Sequence, residues 1–428
     1  MEMPTHLVRQ LKHLVMADVG YQSNLGIMRH FLDEFRSVLR QETPGRIPRL
    51  ALNYNRASLS LLCQYPNKKL AQLALYRGIN WFIMCNVMLA FWTMVVALPE
   101  SKNVIDMGDD LVWLSGMGLV FTKIFYMHLR CNDIDEIIWD FDYYNRELRP
   151  HHMDEEVLGW QRLCYLAETG LYINCFFLVN FFSAAVFLQP LISKGKLPFH
   201  VIWPFQWHRI DLHPKMFWVL YIWLSCTSQH NLMSILHVDM VGITTFLQTA
   251  LNLKLLCIEM RRLGEMRKVS DARFHEEFCR VVRFHQHIIS LVKRANKAFN
   301  GAFIAQMIAS FSLISIATFE TMAAASVDPK MAAKFVLLAM LAFIQLSTWC
   351  ITGTLVYTQS LEVAQAAFEI KDWHTKSTEI QKDISFVILR AQKPLMYVAE
   401  PFVPFTLGTY MIVLKQCYRL LALLRESM

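Results

Sequence analysis

The chain is defined first by what it does not contain. No Cys-x-x-Cys pair, no glycine-rich phosphate loop and no Gly-x-Ser-x-Gly elbow occurs in its 428 residues, which removes the commonest signatures of redox, nucleotide-dependent and serine-hydrolase chemistry. His151-His152-Met153-Asp154-Glu155-Glu156 and His275-Glu276-Glu277 lack paired spacing on one helix face, so a metal site is not expected, and no cofactor is implied. There is no Asn-x-Ser/Thr sequon, and none of the ten cysteines falls in an expected outer loop, which argues against an extracellular disulfide. The amino-terminal stretch is interrupted by Arg9, Lys12 and His13 and shows no small-residue cleavage site, so no signal peptide is expected. Internal repeats are absent too, against an inverted-repeat transporter.

What is present is apolar. Hydrophobic residues make up 54% of the chain and mean hydropathy is +0.29, above the roughly 45–50% of soluble domains. Seven stretches are long enough to cross about 30 Å of hydrocarbon as helices: Ile79–Leu98, Leu111–Leu129, Tyr172–Ile192, Phe217–His237, Ala302–Ala323, Ala333–Tyr357 and Tyr397–Leu414. The expected fold is therefore an all-α polytopic membrane protein with seven transmembrane helices.

Lysine and arginine set its orientation. Ten lie between Arg9 and Lys69 and eleven between Lys254 and Lys297, whereas Pro99–Asp110 has only Lys102 against Glu100, Asp106, Asp109 and Asp110. Because cytoplasmic flanks collect basic residues, the amino terminus is expected inside and the carboxyl terminus outside. The acidic Asn132–Glu156 loop and Lys194, Lys196, Arg209 and Lys215 run against this trend. The net charge of +7 fits attraction to anionic lipid headgroups.

Residues 1–70 are expected to form a cytoplasmic segment and residues 71–428 the membrane domain. Phe274, Phe278, Val281, Ile288 and Val292 recur at helical spacing among charges, as do Ile384 and Val387 beside Lys382 and Asp383. These amphipathic extensions, about residues 246–300 and 358–396, are expected to form a cytoplasmic helical anchor bundle where subunits meet. Pro394, Pro401 and Pro404 are expected to split the last helix, with residues 397–416 as its membrane part.

Several stretches resemble insect odorant receptors. Leu197-Pro198-Phe199 with Trp203-Pro204-Phe205, then Ser360-Leu361-Glu362-Val363-Ala364-Gln365-Ala366-Ala367, Trp373, Arg390-Ala391-Gln392-Lys393-Pro394 and Thr409-Tyr410 all match that family's pattern. The layout matches over most of the chain, although the first 70 residues carry no motif of the family. The final stretch, Thr409 to Tyr418, differs from that of the family's shared coreceptor, Orco, and also from related gustatory receptors by Lys415 and Cys417. The resemblance is thus to a ligand-tuning subunit.

The resemblance implies a tetrameric, ligand-gated, non-selective cation channel assembled with Orco in the plasma membrane of olfactory sensory neuron dendrites. Its last helices would line the pore, with Val413 as the hydrophobic gate and Gln416 as the polar ring beside it. The physics agrees, since a narrow valine ring can exclude water and an amide partly replaces an ion's hydration. On a helix Thr409, Val413, Gln416 and Leu420 share a face, with Lys415 nearly opposite. The family places its ligand, a small volatile molecule, among spans two, three, four and six. There the sequence offers Trp113, Met117 and Phe121, then Phe177, Asn180 and Ala184, then Tyr221, Leu224 and Ser225, and finally Phe335 and Leu338. Asn180 and Tyr221 are the expected orienting hydrogen-bonders. A homomeric gustatory-type channel is the alternative. Coupling to G proteins is disfavoured because Asp-Arg-Tyr after span three and Asn-Pro-x-x-Tyr in span seven are both missing.

Overall fold

A computed structural model describes residues 18–19, 22–23, 33–40, 51–65, 73–101, 104–146, 154–192, 197–266, 269–325, 327 and 329–426. Its principal helices are α1 (Ala51–Leu61), α2 (Ala74–Ala97), α3 (Val104–Leu129), α4 (Cys131–Arg146), α5 (Glu155–Ile192), α6 (Pro214–Arg262), α7 (Asp271–Ala324), α8 (Pro329–Phe368), α9 (Thr378–Ala391) and α10 (Leu407–Glu426). Proline sets several ends. Pro214 and Pro329 begin α6 and α8, where the missing N–H is an orphan in any case, and Pro99 falls in the short 3-10 turn that closes α2.

Among the described residues six helices, α2, α3, α5, α6, α7 and α8, are long and apolar enough to cross a membrane. The expected seventh, α10, is a 20-residue helix, but Lys415, Gln416 and Arg419 interrupt its apolar run. It also starts at Leu407 rather than Tyr397. The intervening chain is instead a short antiparallel pairing of Val398–Ala399 with Val403–Pro404. Two asparagines one turn apart on α7 hold this hairpin by its backbone. Asn296 donates to the Met396 carbonyl at 2.9 Å and accepts from the Val398 N–H at 3.1 Å, while Asn300 donates to the Glu400 carbonyl at 3.2 Å and accepts from the Glu400 N–H at 2.9 Å. Side-chain amides thus satisfy backbone groups that a continuous helix would have paired internally.

α6 is the axis of the bundle. Of its most apolar window 94% is buried, against 18% for α5 and 28% for α2. Trp81, Phe82 and Trp92 of α2 and Phe177 and Phe181 of α5 are exposed, which suits faces that meet hydrocarbon. The main core joins α6 to α7, α8, α9 and α10. A smaller cluster at the outer end joins Val87 and Met94 of α2, Met117 of α3, Phe182 and Val186 of α5 and Leu220 and Leu224 of α6. Phe199 and Val201 of the loop between α5 and α6 are 3% and 2% exposed, so that loop is part of the outer core and not a loose connection.

Candidate ligand cavity and last helix

A cavity of about 210 Å3 lies among α3, α5, α6 and α8, under Phe199. From α3 it takes Trp113, Gly116, Met117 and Val120, which recur at helical spacing on one face. α5 supplies Val179, Phe182, Ser183 and Val186, α6 supplies Ser228, Asn231, Leu232 and Ile235, and α8 supplies Leu338, Leu341 and Ala342. Asp239 and Gln345 bring charge and an amide to the wall.

The outer end is held in a fixed shape. The Trp113 ring meets Phe199 edge-on with centroids 4.5 Å apart, its indole N–H donates to Asp109 at 3.1 Å, and Lys334 lies 5.6 Å from the ring centroid while pairing with both Asp109 oxygens at 2.7 and 2.8 Å. Asp110, 5% exposed, accepts from the Ser101 hydroxyl at 2.5 Å and from His200 Nδ1 at 2.9 Å. That hydrogen bond raises the His200 imidazole above its ordinary value.

Beside the cavity is a polar knot inside the bundle. Lys123 is 1% exposed and donates to both Asp239 and Gln306. Gln345 donates to the other Asp239 oxygen at 2.5 Å, and Gln306 donates to Ser310 at 2.8 Å. One knot therefore ties α3, α6, α7 and α8. Burying a charge in a membrane bundle is costly unless it is paired and hydrogen-bonded, and here both charges are.

Of the residues expected at the ligand site, Trp113, Met117 and Leu338 line the cavity. Leu224, Tyr221 and Ser225 lie on the stripe that continues to Ser228, Leu232 and Ile235, one to two turns nearer the outer end. Leu224 packs in the outer cluster, and the Tyr221 hydroxyl donates to the Phe187 carbonyl at 2.5 Å. Phe335 is fully buried in the main core, and Phe121 stacks on Phe125 at 6.1 Å. On α5 the expected face is wrong. Phe177 is 67% exposed, Ala184 is exposed, and Asn180 accepts from Gln229 at 3.0 Å. The helix turns its neighbours Leu178, Val179, Phe182 and Ser183 inward instead. The sequence expectation does not include Asp239 and Gln345; the available signal is Lys123 within span two and an acid two residues past the expected end of span four.

On α10, Thr409 is turned into the bundle. It is 4% exposed, with its hydroxyl 3.2 Å from that of Thr406, so it packs inside the bundle rather than on an exposed face. Val413 is half-buried against the main core, and Cys417 is buried. Gln416 is exposed, as are Lys415, Met411 and Ile412.

The membrane-length helices and the largely apolar cavity among them define a polytopic membrane protein of the small-molecule receptor class. Residues 103–418 match the family described as 7tm Odorant receptor, and the chain belongs to that family. It is 81% identical over 413 residues to Odorant receptor 47b of Drosophila melanogaster, covering 96% of this chain and all of that one, and 32% identical to Odorant receptor 65a of the same fly, covering 88% and 90%. The fold matches that of the insect olfactory receptor OR5 from Machilis hrabei in complex with eugenol. The TM-score is 0.75 at 12% identity, over 93% of this chain and all of that one.

Proposed function

We propose that this odorant receptor is the ligand-tuning subunit of a non-selective cation channel formed with the coreceptor Orco, in the plasma membrane of sensory dendrites, and has no enzymatic role. The observation that carries the ligand half of this reading is the cavity, which has Phe199 and Trp113 in contact at its outer end and is lined chiefly by hydrocarbon. Its volume of about 210 Å3 is below the roughly 300–1,000 Å3 of drug-sized sites, which suits a small volatile molecule. A guest burying roughly 250 Å2 gains about 6 kcal/mol at ~25 cal/mol per Å2, before its lost freedom is subtracted. Trp113, Met117 and Leu338 are contacts of that guest.

The pore half rests on α10. Gln416 is exposed in the single subunit and so is available to a shared axis, with Val413 one turn before it at the edge of the core. Val413 forms the gate and Gln416 the polar ring. The extensions about 246–300 and 358–396 form the cytoplasmic anchor, residues 1–70 lie inside the cell, and residues 397–416 lead into and line the pore. Whole-cell current in cells expressing this chain with and without Orco, under a panel of aliphatic alcohols, aldehydes, esters and eugenol, tests the reading. Current only with Orco is expected. Current from this chain alone would make it a homomeric channel of the gustatory type, and no response with Orco would remove the channel reading.

A further inference from the structure

The polar knot beside the cavity continues into an unbroken column of rings that ends at the foot of α10. Lys123 Nζ lies 5.5 Å from the centroid of the Trp349 ring. Trp349, 3% exposed, is 5.5 Å from Phe405, 5.4 Å from Phe246 and 5.7 Å from Phe303, measured between centroids. Phe405 precedes α10 by two residues, and the Leu407 N–H donates to Thr354 of α8 at 2.9 Å.

The spacing within the helices shows how the column is built. Gln345, Trp349 and Gly353 occur four residues apart and share one face of α8. The first touches Asp239 at the cavity, the second meets Lys123, and the third lies where a Cβ would come within 2.1 Å of the Phe405 carbonyl oxygen. On α6, Gly242 is one turn below Asp239, and a Cβ there would come within 2.2 Å of the Trp349 ring. Glycine at both places lets the ring column touch the backbone, leaving no slack between one contact and the next. The Trp349 indole N–H has no acceptor among the described residues, so packing against its neighbouring rings, Lys123 and Gly242 positions that side chain.

We infer that Gln345 and Trp349 are positioning residues that couple an occupied cavity to α10. A guest that competes for Gln345 or displaces Asp239 loosens the knot, Lys123 shifts over Trp349, and the ring carries the change to Phe405 and the start of the last helix. Contiguity is the precondition for such a path, and measured energetic coupling is its proof. The inference rests on the channel reading above.

The test uses the full chain with Orco, an agonist taken from the same volatile panel, and surface density matched by biotinylation. Trp349→Leu is expected to lower the ratio of maximal to basal current about tenfold, Gln345→Leu somewhat less, and the double variant no further than Trp349→Leu alone, since both cut one path. Phe82→Leu, on the exposed face of α2 and outside both cavity and ring column, is expected to leave that ratio unchanged at matched density. An unchanged ratio in Trp349→Leu at matched density, or effects that multiply in the double variant, overturns the inference. Should Trp349→Leu fail to reach the surface, Gln345→Leu decides alone, and an unchanged ratio there is equally fatal. A wild-type chain silent to the whole panel would instead remove the channel reading, which separates the two failures.

Discussion

Above the Lys123–Asp239 pair the bundle is open, and about one turn below it, past Ile243 and Thr348, the bundle is closed. In the upper half an empty volume of about 210 Å3 separates α3, α5, α6 and α8. In the lower half Phe246 stacks on Tyr397 at 3.9 Å, and Trp349, Phe303 and Phe405 meet within 6 Å of one another. The difference teaches a division of labour. A receptor for a weakly interacting apolar guest must leave space unfilled, whereas movement is relayed only where neighbouring side chains have nowhere else to go. The charged pair is the boundary between these two kinds of packing.

Breaking the boundary should have the largest effect. Lys123→Met leaves Asp239 buried and without its cation, and removing one partner of such a pair costs about 3–5 kcal/mol. Surface biotinylation and the melting of detergent-extracted protein, followed by size-exclusion fluorescence, should show little folded protein. Adding Asp239→Leu to the same chain should restore most of it, because an apolar pair of similar volume is tolerated. A single variant as abundant and as stable as the double would show that the pair does not hold the helices together.

Two glycines sharpen the comparison at smaller scale. Gly242 lies in the closed half, where an added Cβ would come within 2.2 Å of Trp349, so Gly242→Ala should cost about 1–3 kcal/mol through overpacking. Gly116 lines the cavity with nothing within 4 Å of the added carbon, so Gly116→Ala should leave stability equal or raised by up to about 1 kcal/mol through helix propensity. Its cost should appear as a weaker response to the largest agonists. Equal melting losses in the two variants would mean that the halves are packed alike.

The same contrast governs what was legible in the sequence. Apolar length revealed α2, α3, α5, α6, α7 and α8, and the amphipathic spacing of Phe274 and Phe278 revealed the continuation of α7 beyond the apolar run. The start of α10 was misjudged because Asn296 and Asn300, a hundred residues away in sequence, hold the preceding hairpin. On α6 the cavity stripe was found at the wrong depth. On α5 it was found at the wrong angle, since Phe177 and Phe182 are equally apolar and only the partner helices decide which faces inward. Hydrocarbon outside and hydrocarbon inside are indistinguishable to a hydropathy argument. Lys123 and Asp239 escape that degeneracy, because a charge inside a span has one affordable place to be.

The smallest expected effect is at the outer rim, where His200 ties the loop to Asp110. The carboxylate raises the imidazole above its ordinary value of 6.5, so the paired form is favoured more in the closed loop than in an open one. The stabilisation is therefore fully present below that ordinary value and fades as pH rises through the raised one. His200 is 41% exposed, so solvent screens the pair and limits it to about 0.2–1 kcal/mol. Amide exchange of residues 199–205, corrected for intrinsic chemical exchange, should quicken modestly from pH 6 to pH 8, and His200→Gln should flatten that dependence while the cavity below keeps its protection. A pH dependence that survives in His200→Gln would assign the rim's titration to another group. One that spreads into α6 would mean that the rim and the closed half are not energetically separate.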